Sequence, residues 1–313
     1  MEGRAMKREF GYLSKDGETE IHAIEWIPDG EIKAVLQICH GMSEHIGRYE
    51  EFAEYLNARG VYVVGHDHLG HGRSVQGDEY YGYFHAEKGN QYVIGDIQAL
   101  RSITERKHPD IPYFMLGHSM GSFLLRQYLT MYADGLKGAV IMGTGCHGLP
   151  LLTIGQIFCK MAAARKGWKY RSRFIHNLSF GGFNKKFKKD TDGANWLSAN
   201  VENCRRFAED PQCDFMFTVN GYYQMFEGMK TLARRGSVDK IPKGLPIFFM
   251  SGSDDPVGDF GKAVYKVYKK YKRAGMKDVR LKLYKGDRHE ILNETDRETV
   301  YQDFYKWMQS KIK

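Results

Sequence analysis

YFMLGHSMGSFLLRQYLTMY (113–132) is the stretch that decides the fold. Its first four residues, YFML (113–116), form a short apolar run that reads as a buried strand, and residues 120–132 read as a helix. Between them LGHSMG (116–121) contains a G-x-S-x-G, with Ser119 at the junction. A serine there must occupy a tight, strained turn, so that its hydroxyl projects above the strand end while glycines keep the neighbouring chain clear. In a chain with 35 glycines the pentapeptide alone is weak, and its weight comes from the strand-to-helix context.

The same rhythm extends in both directions. Two alternating runs near 8–13 and 20–27 predict a hairpin of half-exposed strands. AVLQIC (34–39) reads as a buried strand, RYEEFAEYLNARG (48–60) as an amphipathic helix, VYVVG (61–65) as a strand and roughly 90–107 as a helix. LKGAVIMG (136–143) is the next strand. After a break, LPIFFMSG (245–252), a helix near 259–274, the strand VRLKLY (279–284) and a helix near 295–311 complete the series. Buried strands alternating with helices predict a mostly parallel sheet covered on both faces.

The break, residues 146–241, shows helical pieces, glycine-rich interruptions and basic clusters but no buried strand. We therefore expect a core built from 1–145 and 242–313, with 146–241 inserted as a mostly helical lid. The net charge of +8 belongs to that insertion. It holds 16 of the 46 Lys+Arg and 8 of the 38 Asp+Glu, leaving 30 of each sign elsewhere. Five scattered cysteines without metal-ligand spacing suit a reducing compartment. No run approaches the roughly 20 apolar residues of a membrane span, and the N-terminal residues lack the apolar centre of a secretory signal. A cytoplasmic protein, with peripheral membrane contact through the insertion, is the expectation.

A serine hydroxyl needs a base to take its proton and an acid to hold that base. Only His147, His176 and His289 follow Ser119. His289 lies in KGDRHEI, between a strand and the last helix, whereas the other two lie in the insertion. For the acid, the strand ending at Met250 runs into SGSDDPVG, where Asp254 and Asp255 both qualify by position. Oxyanion donors are expected from the backbone N–H of Met120, first in the helix after the nucleophile, and of Met42, in ICHGMSEH (38–45) after an earlier strand.

HGMSEHIGRY (40–49), GHDHLGHGRS (65–74), GHSMG (117–121), GSDDPVG (252–258) and RHEILNE (288–294) together resemble the monoacylglycerol lipase and lysophospholipase group of α/β-hydrolases, the serine aminopeptidase-like hydrolases. In the insertion, NWLSANVENC (195–204) and DPQCDFMFT (210–218) resemble its bacterial members. The resemblance implies an α/β-hydrolase fold, a nucleophile at Ser119, the acid at Asp255 before Pro256, and the base at His289. It places the oxyanion donors at Met42 and Met120. It implies a cofactor-free ester hydrolase acting on monoacylglycerols or lysophospholipids, with a general carboxylesterase as the alternative. The basic insertion departs from the group's pattern around RKGWKYRSR (165–173) and KKFKK (185–189).

Two other readings of local motifs are weaker. His66-Asp67-His68-x-x-His71 invites a metal site, but Gly70 stands where binuclear zinc hydrolases place an aspartate, so structural loop residues are expected. His40, His45 and His118 are likewise read as loop residues rather than bases. The Lys/Arg runs lack a nucleic-acid recognition motif. Interleaved with Trp168, Tyr170, Phe174, Phe180, Phe183 and Phe187, they suit an anionic lipid surface better.

Overall fold

The computed structural model describes residues 6–187 and 195–312, so Lys188 and Lys189 of the second basic cluster lie outside the described residues. Eight strands form one sheet: β1 (Met6–Leu13), β2 (Glu20–Ile27), β3 (Ala34–Cys39), β4 (Val61–His66), β5 (Tyr113–His118), β6 (Leu136–Met142), β7 (Ile247–Gly252) and β8 (Val279–Tyr284). Their order is β1-β2-β4-β3-β5-β6-β7-β8, with β1 and β2 antiparallel and the rest parallel. This is the α/β-hydrolase arrangement.

Strand alternation sends successive side chains to opposite faces. On β5, Tyr113 and Met115 join one apolar core while Phe114 and Leu116 join the other. The first core receives α2 (Gly89–Lys107), α3 (Met120–Tyr132) and α8 (Lys262–Arg273). The second receives α1 (Glu50–Asn57) and α9 (Arg297–Ile312). Helix α1 is shorter than its sequence pattern suggests, because Ile46–Tyr49 enters as a 3₁₀ turn. The two strands of the hairpin differ in exposure: β1 has no buried residue, whereas β2 is mostly buried. Strand β2 pairs with β4 on its free edge, which buries Ile21, Ala23, Ile24, Glu25 and Trp26.

Between β6 and β7 the structure has α4 (Leu149–Lys166), α5 (Arg173–Phe180), α6 (Val201–Glu209) and α7 (Val219–Ala233), and no strand among the described residues. Ser172 and Thr218 cap α5 and α7 by accepting N–H bonds from Ile175 and Gly221. Helix α7 packs on α2, α3 and α4, which ties one end of this segment to the sheet's helical layer.

Candidate active site

Ser119 sits between β5 and α3 with φ 52° and ψ −119°. This is left-handed backbone that a side chain rarely adopts and that costs on the order of 1–3 kcal/mol. The surroundings hold it there. The Ser119 N–H donates to the Met142 carbonyl at 3.0 Å, and its own carbonyl accepts from the Ser122 hydroxyl at 2.6 Å. The flanking glycines allow the close crossing with β3. A Cβ on Gly121 would lie 2.0 Å from the Cys39 carbonyl oxygen, and one on Gly117 would lie 2.4 Å from that of Gly121.

His289, in the loop between β8 and α9, places Nδ1 3.0 Å from Asp255 Oδ1, and both side chains are buried. The same Asp255 oxygen accepts the Val257 N–H at 2.9 Å. Its other oxygen accepts the Ser251 hydroxyl at 3.3 Å. Asp254 is exposed and takes only the Ser253 hydroxyl. Of the two carboxylates the sequence offers, the one that meets an imidazole is Asp255. His289 Nε2 has no hydrogen-bond partner among the described residues, and the ring lines the same cavity as Ser119. The other two histidines after Ser119 line cavities at the serine but hydrogen-bond no carboxylate among the described residues: His176 bonds the Tyr222 hydroxyl at 2.9 Å, and His147 lies against Phe123.

Two cavities meet at Ser119, and Met42 lines both. One, of about 330 Å³, is the more polar of the two, with Glu44, His176, Asn184, Asp214 and Glu290 in its wall beside Trp196, Phe207 and Phe215. The other, of about 180 Å³, is an apolar tunnel lined by Leu151, Leu152, Leu178, Met225, Phe226 and Met229 among others. Phe180 also lines both. Trp196 lies over His289, with ring centroids 5.1 Å apart.

Beneath the polar cavity runs a buried network that motif reading did not anticipate. Arg48 reaches Glu290 with Nη1 at 2.6 Å and Nη2 at 2.7 Å, and Nη1 also reaches Glu44 at 2.9 Å. Asn203, on α6, donates to Glu290 at 2.7 Å. Glu44 also accepts the Gly41 N–H and the Tyr49 hydroxyl. Burial alone would raise Glu44, but the His118 hydrogen bond and the Arg48 charge hold it well below the usual carboxylate range. His118 spans Glu44 and the His289 carbonyl, each at 3.3 Å. Burial opposes its charge, yet Glu44 lifts its pKa above the ordinary imidazole value. The clue in the sequence was position: Glu44 and Arg48 lie inside HGMSEHIGRY, and Glu290 follows His289.

The histidine cluster is held by local hydrogen bonds, while His66 Nδ1, His68 Nε2 and His71 Nε2 have no partner among the described residues. Asp67 accepts from His22, Ile46 N–H and Arg73 N–H. His66 and His68 share a hydrogen bond, and His40 accepts the His68 N–H. Burial pushes His66 and His71 down to about 3. Among the described residues the one group with three ligand atoms within reach is His45, Asp210 and Cys213. There His45 Nδ1 accepts the Gly47 N–H, so Nε2 carries the proton it shares with Asp210, a tautomer unsuited to ligation through Nε2.

The family model described as serine aminopeptidase, S33, matches residues 30–296. The monoacylglycerol lipase of Mycolicibacterium smegmatis is 26% identical over 296 residues, covering 92% of each chain. Human monoglyceride lipase is 27% identical over 290 residues, 91% of this chain and 86% of that one. A crystal structure of a carboxyl esterase from Bacillus coagulans in complex with glycerol superposes with a TM-score of 0.91 at 27% identity, covering 98% of this chain and 99% of that one.

Proposed function

As this chain belongs to the serine aminopeptidase S33 family and is a serine ester hydrolase, we propose that it cleaves monoacylglycerols through an acyl-enzyme on Ser119. The observation that carries this reading is the meeting of an apolar tunnel and a polar cavity at one serine. The tunnel suits a single acyl chain and the polar cavity a small hydroxylated head group.

In the proposed reaction Ser119 Oγ attacks the ester carbonyl carbon while His289 Nε2 takes its proton. The oxyanion so formed accepts hydrogen bonds from the Met42 and Met120 N–H groups. The intermediate collapses, the C–O bond to the alcohol breaks, and His289 returns the proton to the departing glycerol oxygen. Water then attacks the acyl-enzyme, again losing a proton to His289, and the fatty acid leaves as Ser119 is regenerated. Asp255 holds Nδ1–H throughout and stabilises the imidazolium.

The head-group cavity favours a neutral polyol over a phosphate. Arg48 is consumed by Glu290 and Glu44, and the described wall offers no other Lys or Arg. Burial lowers the pKa of His176, so the histidine in the wall supplies little positive charge to an anion. The lid role of residues 146–241 belongs to the same proposal, with α4, α5 and Phe180 closing the tunnel. On the outer side, Ile154, Ile157 and Met161 of α4 and Phe174 of α5 are exposed. Such a face, beside Lys160, Arg165 and Lys166, fits peripheral contact with an anionic lipid surface. Among the described residues no helix is long and apolar enough to cross a membrane.

The test is kcat/KM across monoacylglycerols and p-nitrophenyl esters of graded chain length, with lysophosphatidylcholine alongside. Highest efficiency on medium- or long-chain monoacylglycerol supports the reading. An optimum at acetyl or butyryl esters would establish the carboxylesterase alternative, and one at the lysolipid would overturn the head-group argument.

A further inference from the structure

A third cavity, of about 340 Å³, lies between α3, α7 and α8, and Ser119 does not line it. Its charged lining is entirely basic: Arg126 from α3, and Lys266, Lys270 and Arg273 from successive turns of one face of α8. No carboxylate lines it, and none of the four forms an ion pair among the described residues.

Arg126 is the informative member. It is only 4% exposed. Nη1 donates to Thr144 Oγ1 and the Gly145 carbonyl, each at 3.1 Å, and the buried Nε has no partner. A buried guanidinium is ordinarily neutralised by a carboxylate, because desolvating an unpaired charge is costly. Here the protein supplies more cations instead. Lys270 is anchored by the carbonyls of Leu232 and Arg234 at the end of α7, which fixes its ammonium at the cavity edge. Burial, with the Arg126 charge added, holds both Lys270 and His147 below their ordinary values. Surface lysines merely facing solvent would not need a buried arginine at their centre.

The geometry points to an oxyanion-binding site in this cavity, one that takes a phosphate or carboxylate group between Arg126 and the basic face of α8. Guanidinium and ammonium donors converging on one concavity are the chemistry that recognises such groups. The site adjoins the apolar tunnel, since Phe123, His147 and Met229 wall both cavities. Arg126 also holds the carbonyl of Gly145, two residues before His147. The bound group has two sources of one chemistry: a free small anion, or a carboxylate carried on the far end of the substrate's acyl chain.

Thermal unfolding of the whole chain, titrated with inorganic phosphate against chloride at matched ionic strength, tests it. We expect a saturable rise in Tm whose apparent Kd weakens about tenfold or more in Arg126→Gln and in the double variant Lys266→Gln/Arg273→Gln. Both residues of the double variant are exposed, so it keeps the test informative should Arg126→Gln fail to fold. A second arm compares the mono-p-nitrophenyl ester of a dicarboxylic acid with the monocarboxylic ester of equal length. A preference for the dicarboxylate that the double variant abolishes identifies the acyl-borne source. Phosphate stabilisation without that preference identifies the free anion. Absence of both effects, or a phosphate effect unchanged in the double variant, overturns the proposal.

Discussion

Arg48 and Glu290, 242 residues apart in sequence, form a bidentate ion pair directly behind the loop that carries His289. Glu44 and Asn203 complete it, so the turn after β3, the loop after β8 and helix α6 are joined at one guanidinium. Part of the inserted segment is therefore bolted to the site.

Arg48→Ala leaves two carboxylates buried without their cation. We expect a loss of about 3–5 kcal/mol in unfolding free energy, on the scale of broken buried pairs. Arg48→Lys keeps the charge but loses the fork, and should retain the fold with a lower kcat. Urea denaturation and steady-state kinetics on the same preparations separate the effects; an Arg48→Ala protein as stable as wild type would refute the role.

Ser119→Ala should lose at least ~10⁴-fold in kcat. Asp255→Asn should be far more damaging than Asp254→Asn, because only Asp255 touches His289. Activity is expected to survive EDTA and to be abolished by a fluorophosphonate. Near-normal turnover by the Ser119 variant would move the nucleophile elsewhere.

Met225→Trp narrows the apolar tunnel. Long-chain esters should fall by about tenfold or more in kcat/KM, the scale at which single methylenes are discriminated. Short-chain esters should be affected much less. A uniform loss across all chain lengths would instead mean that the acyl chain lies elsewhere.

Asp96 is buried and accepts bonds from Ser14 Oγ and the Lys15 N–H. Burial pushes its carboxyl up to about 7. The folded state therefore holds a proton that the unfolded chain releases near 4. Its stabilising contribution is complete below that value and is lost as the pH rises through about 7. Asp96→Asn, permanently neutral, should raise stability at pH 8 by on the order of 2 kcal/mol and change it little at pH 4. Equal effects at both pH values, measured by thermal unfolding, would contradict the assignment.

The sequence by itself determined the sheet and the serine. Buried strands and helices have periods of two and 3.6 that local residues must satisfy, and G-x-S-x-G is a local steric requirement, met where Gly117 and Gly121 let β5 and α3 cross against β3. The order of strand, loop and helix also singled out His289. Other features depended on contacts between distant parts of the chain. Asp254 and Asp255 share one sequence environment, and only the fold of their turn exposes one and buries the other against His289. The Glu44–Arg48–Glu290–Asn203 network joins three segments whose distance along the chain carries no signal. In the insertion, composition suggested an aromatic outer face. Packing turns Phe180 and Phe183 inward to the tunnel, sets Phe187 beneath Arg288, and leaves mainly aliphatic side chains of α4 outside. Which way a side chain of an amphipathic segment points is decided by the surface it packs against, and that surface exists only in the folded chain.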